Sequence, residues 1–207
     1  MKTLAEEKNV LLCTNSELTS AQKAMFAYFG EGAKIRPPVR ILNPHRIKIG
    51  DRVSILEYCS ISAFQDLTYL RKFVAEQFKN DLPEESYIYD SSIEIHNEAQ
   101  AGRFLFVSCT KQIVIEENVI ISERVFIGDN NHTFAHPHVP IMQQPNQQGE
   151  PVRIKRGSWI GVGAAILKGC EIGAFSVVGA NSVCKDKFPD RAVIGPEPAK
   201  LLFTMAD

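Results

Sequence analysis

Residues 154–183 read IKRGSW, IGVGAA, ILKGCE, IGAFSV and VGANSV, five hexads that each open on isoleucine or valine. Ile154, Ile160, Ile166, Ile172 and Val178 hold the first position, and the small residues Ser158, Ala164, Cys170, Ser176 and Ser182 hold the fifth. Isoleucine and valine make up 35 of the 207 residues. Five successive hits in one chosen phase therefore arise by chance on the order of once in ten thousand trials. The same phase recurs upstream at Ile115, Ile121 and Ile127 and at Ile49, Ile55 and Ile61. A period of six is neither the 3.6 of a helix nor the plain alternation of ordinary sheet strands. It suits an all-β solenoid of short strands whose first and fifth residues face inward and stack along the axis.

Composition agrees with a folded chain and narrows its partners. The chain is 44% hydrophobic and 23% charged, with a net charge of -1 and a mean hydropathy of -0.10. Such a balance supplies no basic field for a phosphate backbone, so nucleic acid is not an expected partner. No run reaches the roughly 18 apolar residues of a transmembrane segment, and the acidic start MKTLAEEKNV is unlike a signal peptide. A cytoplasmic protein is expected. Cys13, Cys59, Cys109, Cys170 and Cys184 form no CxxC pair, which points to reduced, buried thiols.

Three segments leave the repeat. Residues 14–30 begin with cap-type residues and end at Gly30, predicting a helix that docks on the solenoid. Residues 66–80 place Leu67, Leu70, Phe73, Val74 and Phe78 on one helical face, predicting an inserted amphipathic helix. After Ile127 the repeat gives way to GDNNHTFAHPHVPIMQQPNQQGEPV and resumes at 152–154. A long loop extruded from a rigid scaffold is where function concentrates. It carries His132, His136 and His138, and His132 holds the sixth position of its hexad, outside the inward set. The chain is thus read as one domain: an N-terminal helical segment 1–34, coils over 35–62 and 93–200, a helical insertion 63–92, and an extruded loop 133–151.

These hexads resemble the hexapeptide-repeat acyltransferases, and bacterial sugar and polysaccharide O-acetyltransferases in particular. The resemblance implies a left-handed parallel β-helix with three hexads per turn. In such enzymes a catalytic histidine ends a hexad at the start of the loop, often within Asp-His-x-His. This chain has Asp129-Asn130-Asn131-His132, so the final histidine matches while Asn130 replaces the first, and His132 lies 17 residues after Ile115 as in galactoside and maltose acetyltransferases. The resemblance implies acetyl-CoA as co-substrate, no metal, and His132 as general base. An imidazole, which titrates near about 6.5 in water, takes the proton of the attacking hydroxyl and returns it to the departing thiolate. Asp129 or Glu150 is a candidate to orient the ring, each with the alternative of an ordinary loop carboxylate, and Asn130 is a candidate acceptor contact.

The segment from Ser158 to Lys200 resembles the family's closing pattern, Trp-Ile-Gly, Gly-Ala-x-Ser-Val, Lys-Asp-x-x-Pro and Gly-x-Pro-Ala-Lys. It departs in having one fewer residue between Cys184 and Lys185-Asp186 and one extra within Gly195–Lys200, which bears on the adenosine end of the site. By resemblance Gly161, Val162 and Ala180 line the pantetheine groove, and Lys185 and Lys200 stand near the coenzyme phosphates, where an ammonium acts as a point charge. Trp159 either stacks on coenzyme or acceptor or simply packs, and Gly179 serves a turn rather than a contact. Because relatives build that groove between adjacent subunits, a homotrimer is implied.

Other classes remain open. Gamma-type carbonic anhydrases share the solenoid and bind zinc through three histidines, for which His96, His132 and His136 are candidates. A non-catalytic scaffold solenoid is another alternative. Among transferases, the chain lacks the Tyr-Pro-Phe loop of xenobiotic acetyltransferases and the Asn-Asp-x-x-Pro loop of several nucleotide-aminosugar N-acetyltransferases. O-acetylation of a sugar or cell-surface glycan precursor is therefore the expected activity, with N-acetylation of a nucleotide-linked aminosugar as an alternative. Gly102 stands where galactoside-type relatives carry a sugar-contacting Asn, so the acceptor's identity does not transfer.

Overall fold

A computed structural model describes residues 9–14, 17–66, 88–134, 140, 141, 144, 146–196 and 201–204. In chain order the strands are β1 (Val10–Cys13), β2 (Tyr28–Phe29), β3 (Lys34–Ile35), β4 (Val39–Leu42), β5 (Ile47–Ile49), β6 (Ser54–Ile55) and β7 (Cys59–Ala63). Next come β8 (Ser92–Ile95), β9 (Gln100–Ala101), β10 (Phe106–Cys109), β11 (Gln112–Ile115), β12 (Ile120–Ile121), β13 (Phe126–Gly128) and β14 (Val152–Ile154). The last are β15 (Trp159–Ile160), β16 (Ala165–Ile166), β17 (Glu171–Ile172), β18 (Val177–Val178), β19 (Val183–Cys184), β20 (Ala192–Ile194) and β21 (Leu201–Thr204).

From β1 to β19 every third strand falls in the same sheet. Sheet A runs β1-β4-β7-β10-β13-β16-β19, sheet B β17-β14-β11-β8-β5-β2, and sheet C β21-β20-β18-β15-β12-β9-β6-β3. Only β1 with β4 and β20 with β21 pair antiparallel among these neighbours. The three sheets form the faces of a left-handed β-helix, the fold that the resemblance implied.

The register explains the repeat. In sheet C, Ile35, Ile55, Ala101, Ile121, Ile160, Val178 and Ile194 sit directly above one another. Sheet B stacks Phe29, Ile49, Ile95, Ile115, Ile154 and Ile172 in the same way. These columns make one continuous core, and each buried isoleucine contributes about 1.5–3 kcal/mol against leaving it in water. Fifth-position serines are buried too, and they link coils: Ser158 Oγ donates to Gly173 O at 2.8 Å, and Ala192 N donates to Ser176 Oγ at 3.0 Å.

The turn requirement lies elsewhere than the sequence suggests. The fourth residue of a hexad takes a positive φ, as at Arg52, Tyr58, Phe104, Arg124, Gly163, Phe175 and Asn181. Gly179, read as a turn glycine, is not among the positive-φ residues, and that reading is corrected. Second-position glycines answer instead to crowding between coils. A Cβ on Gly161 would lie 2.7 Å from both Ala180 N and Val178 O.

Two other expectations change. In place of a helix over 14–30, the described residues there hold a single helical turn at Ser20–Lys23 and then β2. The cap sits inside the segment rather than at its start, with Thr19 and Gln22 forming a reciprocal box. The segment after it, however, turns inward: Phe26 is buried, and Tyr28–Phe29 pairs with Lys48–Ile49 as the first coil, before residue 35. The helix predicted over 66–80 lies outside the described residues, which break off at 66.

First positions follow one another every six residues except where the chain passes from sheet A to sheet B. There the spacing stretches: Ile41 to Ile49, Ile61 to Ile95, Val107 to Ile115 and Ile127 to Ile154. Every extra residue of the coils up to Ile154 therefore leaves the solenoid along one edge, between sheets A and B.

Candidate active site

The extruded loop springs from a corner built around Asp129. This carboxylate is fully buried, and backbone N–H groups surround it. Oδ1 accepts from Thr110 N at 2.7 Å, and Oδ2 accepts from Lys111 N at 2.7 Å and Gln112 N at 2.8 Å. Thr110 Oγ1, Asn130 Nδ2 and the Cys109 thiol donate to it as well. Three charge-assisted backbone bonds fix the tight turn one coil below the loop. The main chain of Asp129 takes part as well, its carbonyl accepting from Glu150 N at 2.9 Å. Gly149 closes over the corner, where an added Cβ would stand 2.7 Å from Thr110 Oγ1 and 3.0 Å from Asp129 Cγ.

Departing and returning strands of the loop are joined above this corner. Gln147 N donates to Asn131 O at 2.8 Å, and His132 bridges antiparallel to Asn146. His132 itself is exposed, and Phe134 beside it is 70% exposed. An imidazole held on a paired backbone and open to solvent can exchange protons with an incoming hydroxyl.

Neither proposed orienting carboxylate meets the ring. Asp129 is occupied by the corner, and Glu150 pairs with Lys168 at 3.1 Å; neither bonds His132 among the described residues. Asn130 also points inward, its Nδ2 donating to Ser108 O at 3.0 Å. These three residues hold the base of the loop rather than the imidazole. The sequence missed the Thr110–Gln112 turn because backbone N–H groups carry no residue signature. The eight-residue step from Val107 to Ile115 was the available signal.

The expected coenzyme contacts gather at another edge, between sheets C and A. Gly161 and Val162 follow β15, and Gly179 and Ala180 follow β18 one coil on. Val162 and Ala180 are exposed, and neither backbone N–H donates to a carbonyl among the described residues. A small-residue strip with open amides fits a pantetheine arm. Trp159 lies on the outer face of sheet C, 50% exposed, with Nε1 donating to Ser122 Oγ at 3.0 Å. Lys185 is exposed just past β19; Lys200, like His136 and His138, lies outside the described residues. Sheet A separates the two groups within one chain, the loop leaving by one margin and the small-residue strip lining the other.

Among the described residues no three His, Cys, Asp or Glu side chains cluster as a metal site. His96 instead faces Glu94, with Nε2 3.4 Å from Oε2. No described helix is long and apolar enough to cross a membrane.

No protein-family model matches the chain. It is 31% identical over 110 residues to a putative lipopolysaccharide biosynthesis O-acetyl transferase of Escherichia coli, covering 50% of this chain and 56% of that one. A probable acetyltransferase of Mycobacterium tuberculosis is 27% identical over 165 residues, covering 79% and 53%. The chain thus spans little more than half the length of these relatives. An E. coli galactoside O-acetyltransferase is 28% identical over 125 residues, 58% of each. Among solved structures, an N-acyltransferase from Bacillus cereus in complex with dTDP and 3-hydroxybutyryl-CoA superposes with a TM-score of 0.70 at 19% identity, covering 93% of this chain and 92% of that one. A hexapeptide-repeat acetyltransferase from Vibrio cholerae with acetyl-CoA gives 0.57 at 21%, covering 93% and 81%. In repeat, register and sequence the chain is similar to the hexapeptide-repeat acetyltransferases and has their left-handed β-helix fold.

Proposed function

We propose that the protein is an acetyl-CoA-dependent O-acetyltransferase acting on a hydroxyl of a saccharide or glycan precursor, with His132 as general base. The observation that carries this is His132, solvent-open at the mouth of a loop whose base is locked by Asp129 and Gly149. The neutral imidazole accepts the hydroxyl proton as the acceptor oxygen attacks the thioester carbonyl; the carbon–sulfur bond then breaks and the proton passes to the thiolate. The acyl-CoA lies along Gly161, Val162, Gly179 and Ala180, beside Trp159, with Lys185 and Lys200 toward its phosphates. The O-linked reading is favoured because two of the sequence relatives named above are O-acetyltransferases.

The proposal extends to a homotrimer with sites between copies, a reading that the solenoid's faces support. Sheet B is solvated outside by ion pairs, Lys48 with Glu94 at 3.0 Å and Lys155 with Glu171 at 2.6 Å. Sheets A and C are apolar outside in their later coils: Phe106 stacks on Phe126 at 5.8 Å, and Ile120 lies beside Trp159 in register. Two apolar faces flanking the small-residue strip suit a neighbouring copy, whose His132 loop would complete the groove. Five buried cysteines, none in a disulfide, and an acetyl-CoA supply fit a cytoplasmic setting.

Thiol release from acetyl-CoA, followed across a panel of mono- and oligosaccharides, tests the reading. Sugar-dependent release is expected with at least one acceptor class. Release that never depends on a sugar overturns it.

A further inference from the structure

The A–B edge carries a second hairpin stem, and it reaches the His132 loop. After β7 the chain leaves the solenoid through Phe64–Asp66 and returns through Ile88–Ser91. Tyr89 N donates to Gln65 O at 2.6 Å, and Asp66 bridges antiparallel to Ile88. The stem is tied to the coil beneath it, where Arg46 Nε donates to Ser91 O at 2.6 Å and His45 meets Gln65 Oε1 at 2.7 Å. One coil separates this stem from the His132 loop, and the short Thr110–Lys111 turn between them leaves room for the two to touch.

They touch reciprocally. Tyr89 Oη donates to Asn146 O at 3.5 Å, and Gln148 Nε2 donates to Ile88 O at 3.4 Å. Each stem offers one side chain to a backbone carbonyl of the other. Tyr89 is 3% exposed, so its ring also fills the joint. Asn146, the residue Tyr89 reaches, is the antiparallel partner of His132. A rigid loop base fixes the His132 strand at one end only; this clasp fixes the returning strand one residue pair higher.

We propose that the Ile88–Tyr89 stem is the positioning element of His132, with Tyr89 acting through Asn146 and Gln148 holding the returning strand to the Ile88 carbonyl. The inference rests on the transferase reading for its catalytic meaning, yet the clasp itself is testable without turnover. It also gives the described base of the 63–92 insertion a role, because that base bonds the residue paired with His132.

The test uses the full chain as Tyr89→Phe, Gln148→Ala and the double variant. The His132 ring signals are read by NMR and assigned from the spectrum of His132→Gln. Both single variants are expected to shift the His132 ring signals and to lower kcat about three- to tenfold, the scale of one neutral hydrogen bond. Acetyl-CoA affinity and thermal midpoint should stay at the parent's values, which a general packing defect would not allow. Unmoved His132 signals in the double variant overturn the clasp even where the parent transfers acetyl groups. Moved signals in a parent that transfers nothing leave the clasp standing and remove the transferase reading instead.

Discussion

Replacing Asp129 by Asn changes one atom in the most crowded polar site of the molecule. The amide must turn its nitrogen toward one of two places where an oxygen now accepts backbone N–H groups. Placed at Oδ2, it opposes both Lys111 N and Gln112 N; placed at Oδ1, it opposes Thr110 N, 2.7 Å from that oxygen, and Asn130 Nδ2, which keeps Ser108 O as an acceptor. The second orientation is the better one. It forfeits one bond to a charged acceptor, about 1.5–3 kcal/mol, and leaves a buried donor without a partner, about 1–3 kcal/mol. The two remaining backbone bonds lose their charge assistance as well. A total of about 3 kcal/mol is expected, against a whole-domain stability of about 5–15 kcal/mol. In a solenoid the damage is local to neighbouring coils, so amide exchange at Thr110, Lys111 and Gln112 is the sharpest assay, with urea unfolding beside it. Exchange there should accelerate about a hundredfold, following tenfold per 1.4 kcal/mol. Asp129→Asn with unchanged exchange and a stability within about 1 kcal/mol of the parent would refute the assignment of the corner to this carboxylate.

Gly149→Ala places a methyl group against Thr110 Oγ1 and Lys111 Cβ, 2.7 and 2.8 Å away. It should cost about 1–3 kcal/mol by overpacking and slow sugar acetylation without weakening acetyl-CoA binding, as calorimetry and kinetics will report. Burial raises the thiols of Cys59 to about 11 and Cys184 to about 12, and raises Cys109 and Cys170 as well. Native protein at pH 8 should therefore give a thiol reagent no more than Cys13, and all five cysteines only after denaturation; two fast equivalents contradict this. The sign for stability follows: unfolded thiols ionise near pH 9 while the folded ones stay protonated, so stability is whole below pH 9 and declines as pH rises toward about 12. Trp159, the single tryptophan, should report acetyl-CoA by a change in emission that Ala180→Glu abolishes; an unresponsive parent argues against the groove on sheet C.

The core was legible because its signal is periodic. Ile154 to Val178 fall in turn into three columns, one per sheet, and the register confirms what the spacing of six implied. The turns were not, since the position that needs a positive φ is filled by Tyr58, Phe104 and Phe175 as readily as by Gly163. Their aromatic side chains conceal a backbone demand. At the N-terminus, the cap lies at Thr19 rather than at the cap-type residues that open 14–30, and Phe26 and Phe29 are drawn to the first coil's core after one turn. Tertiary burial outweighs a short helix whose nucleation is costly. At the site, His132 stood out from the break in the repeat, whereas the work of Asp129 lay hidden in the main chain of residues 110–112.

Acetyl transfer to a sugar, measured for the parent and for His132→Ala with the product bond identified by its lability to hydroxylamine, bears most directly on the whole account. The parent should form a hydroxylamine-labile ester, and the variant should form it about a hundred- to ten-thousandfold more slowly, the range of a lost general base. An ester formed by His132→Ala at the parent's rate would contradict it.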